Sequence, residues 1–127
     1  MTRLIAIALA LHVSIFGIPS ARPVTVDDLM KLRAIVDVRI SPDGERVAYV
    51  VSTPSLERNA QIGALCVVPA SGGAPMRLAE DARIFNPSTV RPQLRWSPDS
   101  TTIAFLGFAD TRPQVFAVPA SGGPAAR

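Results

Sequence analysis

Short apolar runs separated by polar turns begin near residue 36 and continue to the end of the chain. They predict seven strands, which cover Val36–Ile40, Arg46–Ser52, Ala64–Pro69, Ala74–Ala79, Leu94–Ser97, Thr102–Phe108 and Gln114–Pro119. In Arg46–Ser52 both faces are apolar, which is typical of a strand that is covered on both sides. The pattern therefore predicts an all-β chain whose sheets stack face to face.

One turn sequence occurs twice, each time between two apolar runs. Ser41-Pro42-Asp43-Gly44 is followed fifty-six positions later by Ser97-Pro98-Asp99-Ser100. Proline presets φ for the first central position, and serine and aspartate side chains hydrogen-bond the turn backbone. Both segments are therefore predicted to be hairpin corners. Gly44 supplies the residue that takes positive φ, and Ser100 is expected to fill the same place with strain, so that a glycine there would be neutral or slightly stabilising.

A second sequence, Val-Pro-Ala-Ser-Gly-Gly, also occurs twice, beginning at Val68 and at Val118. The chain therefore contains two copies of one β unit, which differ by six residues in an internal segment, Thr53–Gly63, that is predicted to be a polar loop. A period near fifty residues with hairpin corners is typical of propeller blades, of which a closed ring needs about four to eight. We predict an all-β fold of about two blades of an incomplete β-propeller, at the front end of something longer.

The predicted boundaries follow the repeat. The first blade covers residues 36–79, a connector covers 80–92, and the second blade covers 93–127 and is truncated before its fourth strand. Residues 22–35 form a linker with one short helix, Pro23–Ala34. Thr25 and Asp28 have the spacing of a capping box at its start, and the apolar side chains of Val26, Leu29 and Met30 share a face that is expected to pack on the sheet.

The first twenty-one residues have the pattern of an export signal. Arg3 precedes the apolar run Leu4–Ile18, and the small residues Ser20 and Ala21 offer cleavage sites. The run is shorter than the twenty or so residues that a spanning helix needs, although an uncleaved anchor remains open. No cysteine follows it to carry a lipid. We predict a signal peptide over 1–21, an exported protein that is periplasmic or extracellular, and no stable membrane insertion after the leader is removed.

Composition narrows the function classes. The net charge of the 127 residues is +3, and it falls to +2 without Arg3, with the basic residues scattered singly. The chain lacks the basic stripe that a nucleic-acid-binding protein usually shows. Cys66 is the only cysteine, so no internal disulfide forms, and its apolar run predicts a small buried hydrophobe. Trp96 stands where the first copy has Ile40, which favours a core or inter-blade packing role over a ligand platform.

The expected chemistry is defined by what the chain lacks. The only histidine is His12, inside the leader, so the mature chain holds no Ser-His-Asp triad, and no G-x-S-x-G segment occurs. Asp43 and Asp99 are turn residues without the further carboxylates of a metal loop. Capping explains Asp27 and Asp28 better than a paired-carboxylate site does. We therefore predict no catalytic, cofactor-binding or metal-ligating residue and no cofactor.

Four segments together resemble a known family. Val24–Arg33 and Asp37–Val50 are similar to the start of bacterial secreted peptidases of the prolyl oligopeptidase family, including its acylaminoacyl- and dipeptidyl-peptidase-like members. Val67–Gly73 and Arg95–Asp99 resemble the propeller repeats of that family.

The resemblance implies a serine peptidase whose Ser, Asp and His lie in a missing carboxy-terminal α/β-hydrolase domain of the same polypeptide, so that no catalytic position is carried over to this chain. It implies a propeller that serves as scaffold and as a filter admitting short peptide substrates. Two alternatives stay open. One is a periplasmic Tol-type binding propeller without catalysis, and the other is a truncated reading frame that does not fold alone.

Overall fold

The computed structural model describes residues 22–80, 82–84 and 93–127, and the leader predicted over 1–21 lies outside these residues. Within them the chain forms two antiparallel sheets and one short helix. The first sheet follows the helix α1 (Val26–Met30) and contains β1 (Ala34–Ile40), β2 (Arg46–Ser55), β3 (Ala60–Pro69) and β4 (Met76–Leu78). The second contains β5 (Arg83–Ile84), β6 (Arg95–Trp96), β7 (Thr102–Ala109) and β8 (Arg112–Pro119). The predicted all-β partial propeller is confirmed.

The first sheet is a simple meander in the order β1-β2-β3-β4. Its registers place Val38, Tyr49 and Cys66 side by side on one face, and Asp37, Val50 and Leu65 side by side on the other. A bulge between Ile35 and Asp37 shifts the pairing of β1 by one residue. Strands of this kind, with apolar residues on both faces, need a neighbour on each side.

The hairpin of β2 and β3 is longer than predicted, and the loop expected over Thr53–Gly63 is wrong. The two strands pair without interruption from Arg46↔Pro69 to Ser55↔Ala60. Polar side chains do not prevent this, because antiparallel strands pair through their backbones. Compared with the hairpin of β7 and β8, each strand is two residues longer and the turn is two residues longer. The six-residue difference between the copies is therefore an extension of a regular hairpin.

In the second sheet, β7 pairs with β8 along one edge and with both β5 and β6 along the other. Ile84 pairs with Gly107, and Trp96 pairs with Ile103. Together β5 and β6 occupy the place that β1 holds in the first sheet. The segment 80–92, which was predicted to be a connector, contains the short strand β5 of the second sheet. That strand is too short for a periodic signal.

The end of the chain begins to form the fourth strand that the truncated second blade was predicted to lack. Ala117 and Ala126 exchange two backbone hydrogen bonds of 2.8 Å, which form a single antiparallel bridge. This bridge corresponds to the pairing of Val67 with Met76, where β4 begins in the first sheet. The second sheet therefore repeats the start of the fourth strand of the first.

Helix α1 is shorter than the predicted Pro23–Ala34. The capping box is confirmed, because the Asp28 N–H donates to Thr25 Oγ1 and the Thr25 N–H donates to Asp28 Oδ2, at 3.3 and 3.0 Å. The helix ends after one turn because residues 34 onwards extend into β1. No helix residue is buried, and Val26 and Leu29 are exposed, so the expected packing of its apolar face is wrong for these two side chains, whereas Met30 is half-buried.

The two sheets pack face to face around one apolar core. The first sheet contributes Ala48, Val50 and Leu65, and the second contributes Ile103, Phe105 and Val118. The rings of Phe105 and Phe116 stack with their centroids 5.8 Å apart. Gly107 makes room for this arrangement, because a Cβ at that position would lie 2.7 Å from the Phe116 ring. Burial of such side chains is the main favourable contribution to folding.

The outer faces of the two sheets are also apolar, and corresponding positions differ sharply in burial. Leu65, which faces the second sheet, is fully buried, whereas its counterpart Val115 on the outer face of the second sheet is 62% exposed. Trp96 is half-buried between the sheets, whereas its counterpart Ile40 on the outer face of the first is 63% exposed. The same positions are thus buried wherever a neighbouring sheet is present. Each outer face has the composition of a surface that packs against another blade.

Candidate functional site

Both repeated turns have the hairpin-corner geometry that the sequence predicts. In each, the serine hydroxyl donates to the aspartate and accepts the N–H of the first residue of the following strand, at 2.9 Å to Arg46 and to Thr102. The hydroxyls of Ser41 and Ser97, followed by backbone N–H groups, lower the pKa values of Asp43 and Asp99 below the usual range. Their geometry gives both aspartates a structural role in the corner.

Ser100 has the positive φ that was predicted, +61°, but its side chain is not a passive substitute for glycine. The residue is 2% exposed, and its hydroxyl accepts a hydrogen bond of 3.1 Å from the Asp43 N–H of the first sheet. Its carbonyl oxygen accepts a second bond, of 2.6 Å, from Arg46 Nη2. The expectation that a glycine would be neutral or stabilising omitted the contact of the hydroxyl, since no local pattern reveals a partner fifty-seven residues away. Ser100 joins the two blades.

Trp96 has the inter-blade packing role that the sequence predicts. Its indole Nε1 donates to the Arg39 carbonyl oxygen at 3.2 Å, and the Arg46 guanidinium lies 5.4 Å from the ring centroid. A cation over an indole face is a favourable electrostatic contact. The tryptophan therefore fixes the position of β6 against β1.

Asp37 is a buried inter-blade residue that the sequence analysis missed. Its Oδ2 accepts the Leu94 N–H at 3.0 Å, and its Oδ1 lies 3.3 Å from Arg39 Nη2. A buried carboxylate needs such partners, because removal from water destabilises an unpaired charge. The available signal was one acidic residue within the apolar run Val36–Ile40. Its position is explained by the junction between the sheets.

Cys66 is half-buried on the outer face of the first sheet, and the prediction of a buried small hydrophobe is only partly correct. Burial raises the pKa of its thiol, and Tyr49 is its neighbour on the next strand. A thiol with a raised pKa is a weak nucleophile at neutral pH.

Among the described residues, the carboxylates do not form a cluster that could hold a metal ion. Asp28 forms the capping box with Thr25 and an ion pair with Arg22. The Arg22 guanidinium lies 2.6 Å from Asp28 Oδ2 and lowers the pKa of the Asp28 carboxyl. Asp27 lies beside it on the exposed side of the helix. This arrangement agrees with the capping interpretation of the pair.

The extended hairpin forms a concave surface that the sequence analysis did not predict. Two adjoining cavities of about 580 and 500 Å³ lie between its tip and β5, and they share Ala60, Gln61, Arg83 and Ile84. We call this surface the hairpin groove. One half has apolar side chains, from Met30, Pro54, Leu56, Ile84 and Phe108, and the other half has the arginines Arg58, Arg77 and Arg83. The six extra residues of the first copy were the signal for it.

The two stacked antiparallel sheets and the inter-blade junction define the chain as part of a β-propeller. It belongs to the family described as "Lipoprotein LpqB beta-propeller domain", which matches residues 8–127. A curated relative, "Uncharacterized peptidase YuxL" of Bacillus subtilis (strain 168), is 28% identical over 104 residues. The match covers 80% of this chain but only 15% of that relative.

Two solved structures are similar to the chain. The Pyrococcus horikoshii acylaminoacyl peptidase is 25% identical with a TM-score of 0.54, and the match covers 72% of this chain and 13% of that one. An AtxE2 isopeptidase variant with Astexin3-dC4 bound is 24% identical with a TM-score of 0.67. The match covers 84% of this chain and 20% of the isopeptidase chain. The second shows a shared fold alone. Together these relatives confirm the resemblance to propeller segments of prolyl oligopeptidase family peptidases.

Within residues 22–80, 82–84 and 93–127, none of the helical segments has the length and hydrophobicity of a membrane span.

Proposed function

We propose that this chain is the propeller portion of an exported serine peptidase that acts on short peptides. In that protein it is the scaffold and substrate filter for a carboxy-terminal α/β-hydrolase domain. The domain boundaries proposed from the sequence are a leader over 1–21, a linker and helix over 22–35, and blades over 36–79 and 93–127. The hydrolase domain and peptide substrates are the partners.

The observation that carries the proposal is the pair of open apolar faces on the two sheets. Val115 and Ile40 are exposed at positions whose counterparts, Leu65 and Trp96, are covered by the neighbouring sheet. Exposed apolar surface of this kind marks a contact site, and here the contact is the next blade of a ring. The chain spans about 15% of its peptidase relative, which leaves room for further blades and a catalytic domain.

The proposal is tested with the whole polypeptide that the gene encodes, purified after export. A fluorophosphonate probe labels the activated serine of a serine hydrolase, and we expect one labelled serine outside residues 1–127. Chromogenic short peptides should be hydrolysed, whereas a folded protein substrate should not be. A heat-denatured sample is the control for nonspecific labelling.

Amino-terminal sequencing of the same preparation tests export. Cleavage after Ser20 or Ala21 gives a mature chain that begins at Ala21 or Arg22. Retention of Leu4–Ile18 in a membrane fraction would contradict the cleaved leader and favour an anchor.

A second candidate function is a periplasmic binding propeller without catalysis. It is favoured by one observation, that the matched family is described by a lipoprotein domain rather than by an enzyme. This candidate predicts no fluorophosphonate labelling and no peptide hydrolysis by the whole polypeptide. Labelling of a serine would exclude it.

A further inference from the structure

We propose that the hairpin groove is a binding site for the carboxy-terminal end of a short peptide whose last residue is apolar. This inference rests on the proposed function, because it gives the substrate filter a chemical preference. Within the described residues the long first hairpin builds the groove, since the hairpin of the second blade is six residues shorter and ends at its own two-residue turn.

The cationic half of the groove provides the charge for a carboxylate. Arg58, Arg77 and Arg83 line one cavity, and Glu80 is the only acidic residue among its described lining residues. The Arg77 Nε lies 3.8 Å from Glu80 Oε1, which leaves Arg58 and Arg83 as the cations not paired with it. Arginine binds carboxylates with two parallel N–H donors, so it is suited to hold the end of a peptide.

Arg83 connects the two halves. Its guanidinium lies 4.9 Å from the centroid of the Phe108 ring, and this stacking holds the long side chain in one place. Phe108 lines the apolar cavity, together with Met30 and Leu56. A preordered arginine loses less entropy when it binds an anion.

The apolar half explains why the ligand is a peptide end rather than a free anion. A carboxy-terminal residue carries its carboxylate and its side chain on the same Cα, so the two groups reach adjoining surfaces. The cavity beside Arg83 has about 580 Å³, which is in the range of sites that accommodate small ligands. An apolar last side chain would lie against Leu56 and Phe108 while its carboxylate meets Arg83 and Arg58.

The test measures binding to the whole polypeptide after treatment with a fluorophosphonate, so that an active-site serine does not consume the probe. Three dansyl-labelled peptides are compared by fluorescence anisotropy: Ala-Ala-Phe as the free acid, the same peptide as the amide, and an amide that carries a glutamate before the phenylalanine. We expect the free acid to bind at least about tenfold more tightly than either amide, because hydrogen bonds to charged groups are the strong ones.

The variants Arg58→Gln and Arg83→Gln should each weaken binding of the free acid by about tenfold. Arg112→Gln, at the corresponding hairpin of the second blade, is the matched control and should bind as the wild type does. Replacing residues 54–61 by the Asp-Thr turn of the second blade removes the groove and should abolish binding, while an unchanged melting temperature shows that the blade still folds.

Equal binding of acid and amide, or unchanged binding in Arg58→Gln and Arg83→Gln, would overturn the site. Equal binding of the glutamate amide and the free acid would overturn its assignment to a peptide end. The outcome is separate from that of the proposed function. A polypeptide that is labelled by the fluorophosphonate but does not discriminate acid from amide refutes only the groove, and one that discriminates without labelling refutes only the peptidase.

Discussion

Ser100 shows how one side chain changes role between two copies of a repeat. Gly44 has φ +75° with nothing within 4 Å of a Cβ, so its corner needs only a residue that tolerates this backbone. Ser100 has the same backbone, and in addition its hydroxyl accepts the Asp43 N–H of the other blade. A non-glycine residue in this region is strained by roughly 1 kcal/mol, and an unsatisfied N–H costs about 1–3 kcal/mol. The second effect is the larger one.

We therefore expect Ser100→Ala to destabilise the protein by about 1–2 kcal/mol, because the Asp43 N–H loses its partner while the strain remains. Ser100→Gly should be intermediate, because it loses the same bond but releases the strain. Urea unfolding of the whole polypeptide measures the order. An alanine variant as stable as the wild type would contradict the inter-blade role of the hydroxyl.

Trp96→Phe tests the second inter-blade hydrogen bond. The substitution keeps an aromatic ring under Arg46 but removes the Nε1 donor from the Arg39 carbonyl oxygen, which lies 3.2 Å away. We expect a loss of about 1 kcal/mol. Thermal unfolding of the whole polypeptide measures it, with Ser71→Ala at the exposed corner after β3 as the control outside this junction. If Trp96→Phe melts at the wild-type temperature, the indole donor does not stabilise the junction.

At the scale of elements, most of the strands were predictable because alternation and turn residues are local signals. The Ser-Pro-Asp corners gave the position of each hairpin, and Thr25 with Asp28 gave the start of the helix. The elements that were missed depend on distant partners. The strand β5 has two residues, and only its pairing with β7 defines it. The strands near the tip of the first hairpin are ordered by backbone pairing. Their sequence has no regular alternation of apolar residues, so it gave no strand signal.

The same limit explains why the hairpin groove could not be predicted. Its apolar and cationic residues come from α1, the hairpin, β4, β5 and β7, which are brought together only by the packing of two sheets. The repeat spacing revealed that six residues were extra, but their pattern indicated a loop. The absence of a catalytic constellation remains a prediction for the chain.

The two hairpin corners predict a pH dependence. The folded-state pKa values of Asp43 and Asp99 are lowered by hydroxyl and N–H donors, whereas in the unfolded chain an aspartate titrates near 3.9. A lowered pKa contributes stability that is present above the unfolded value and is lost as the pH falls through the folded value. We therefore expect the urea concentration at the unfolding midpoint to decrease when the pH is lowered below about 4. In Asp99→Asn, which keeps the acceptor oxygen, the fall should be smaller, and an identical fall would contradict this explanation.

At the scale of the whole molecule, the two sheets form one interface between them, and each outer face has the residues for another interface of the same kind. The inner contact joins positions such as Leu65 and Phe105, and the two outer faces present the corresponding positions to the exterior. Open strand faces of this kind self-associate when no neighbour covers them. Residues 22–127 made alone should therefore be oligomeric and should unfold without cooperativity. A monodisperse monomer with a sharp melting transition would contradict the need for further blades.

The most direct test of the central claim asks whether the outer face of the first sheet is covered in the whole polypeptide. Ile40→Cys places a thiol on that face, and Ser71→Cys places one at the exposed corner after β3 as the control. Iodoacetamide labelling followed by peptide mass spectrometry measures both. We predict that the thiol at position 40 is protected in the native protein and labelled only after denaturation, whereas the thiol at position 71 is labelled at once. Equal native labelling would show that no blade covers this face and would contradict the propeller account.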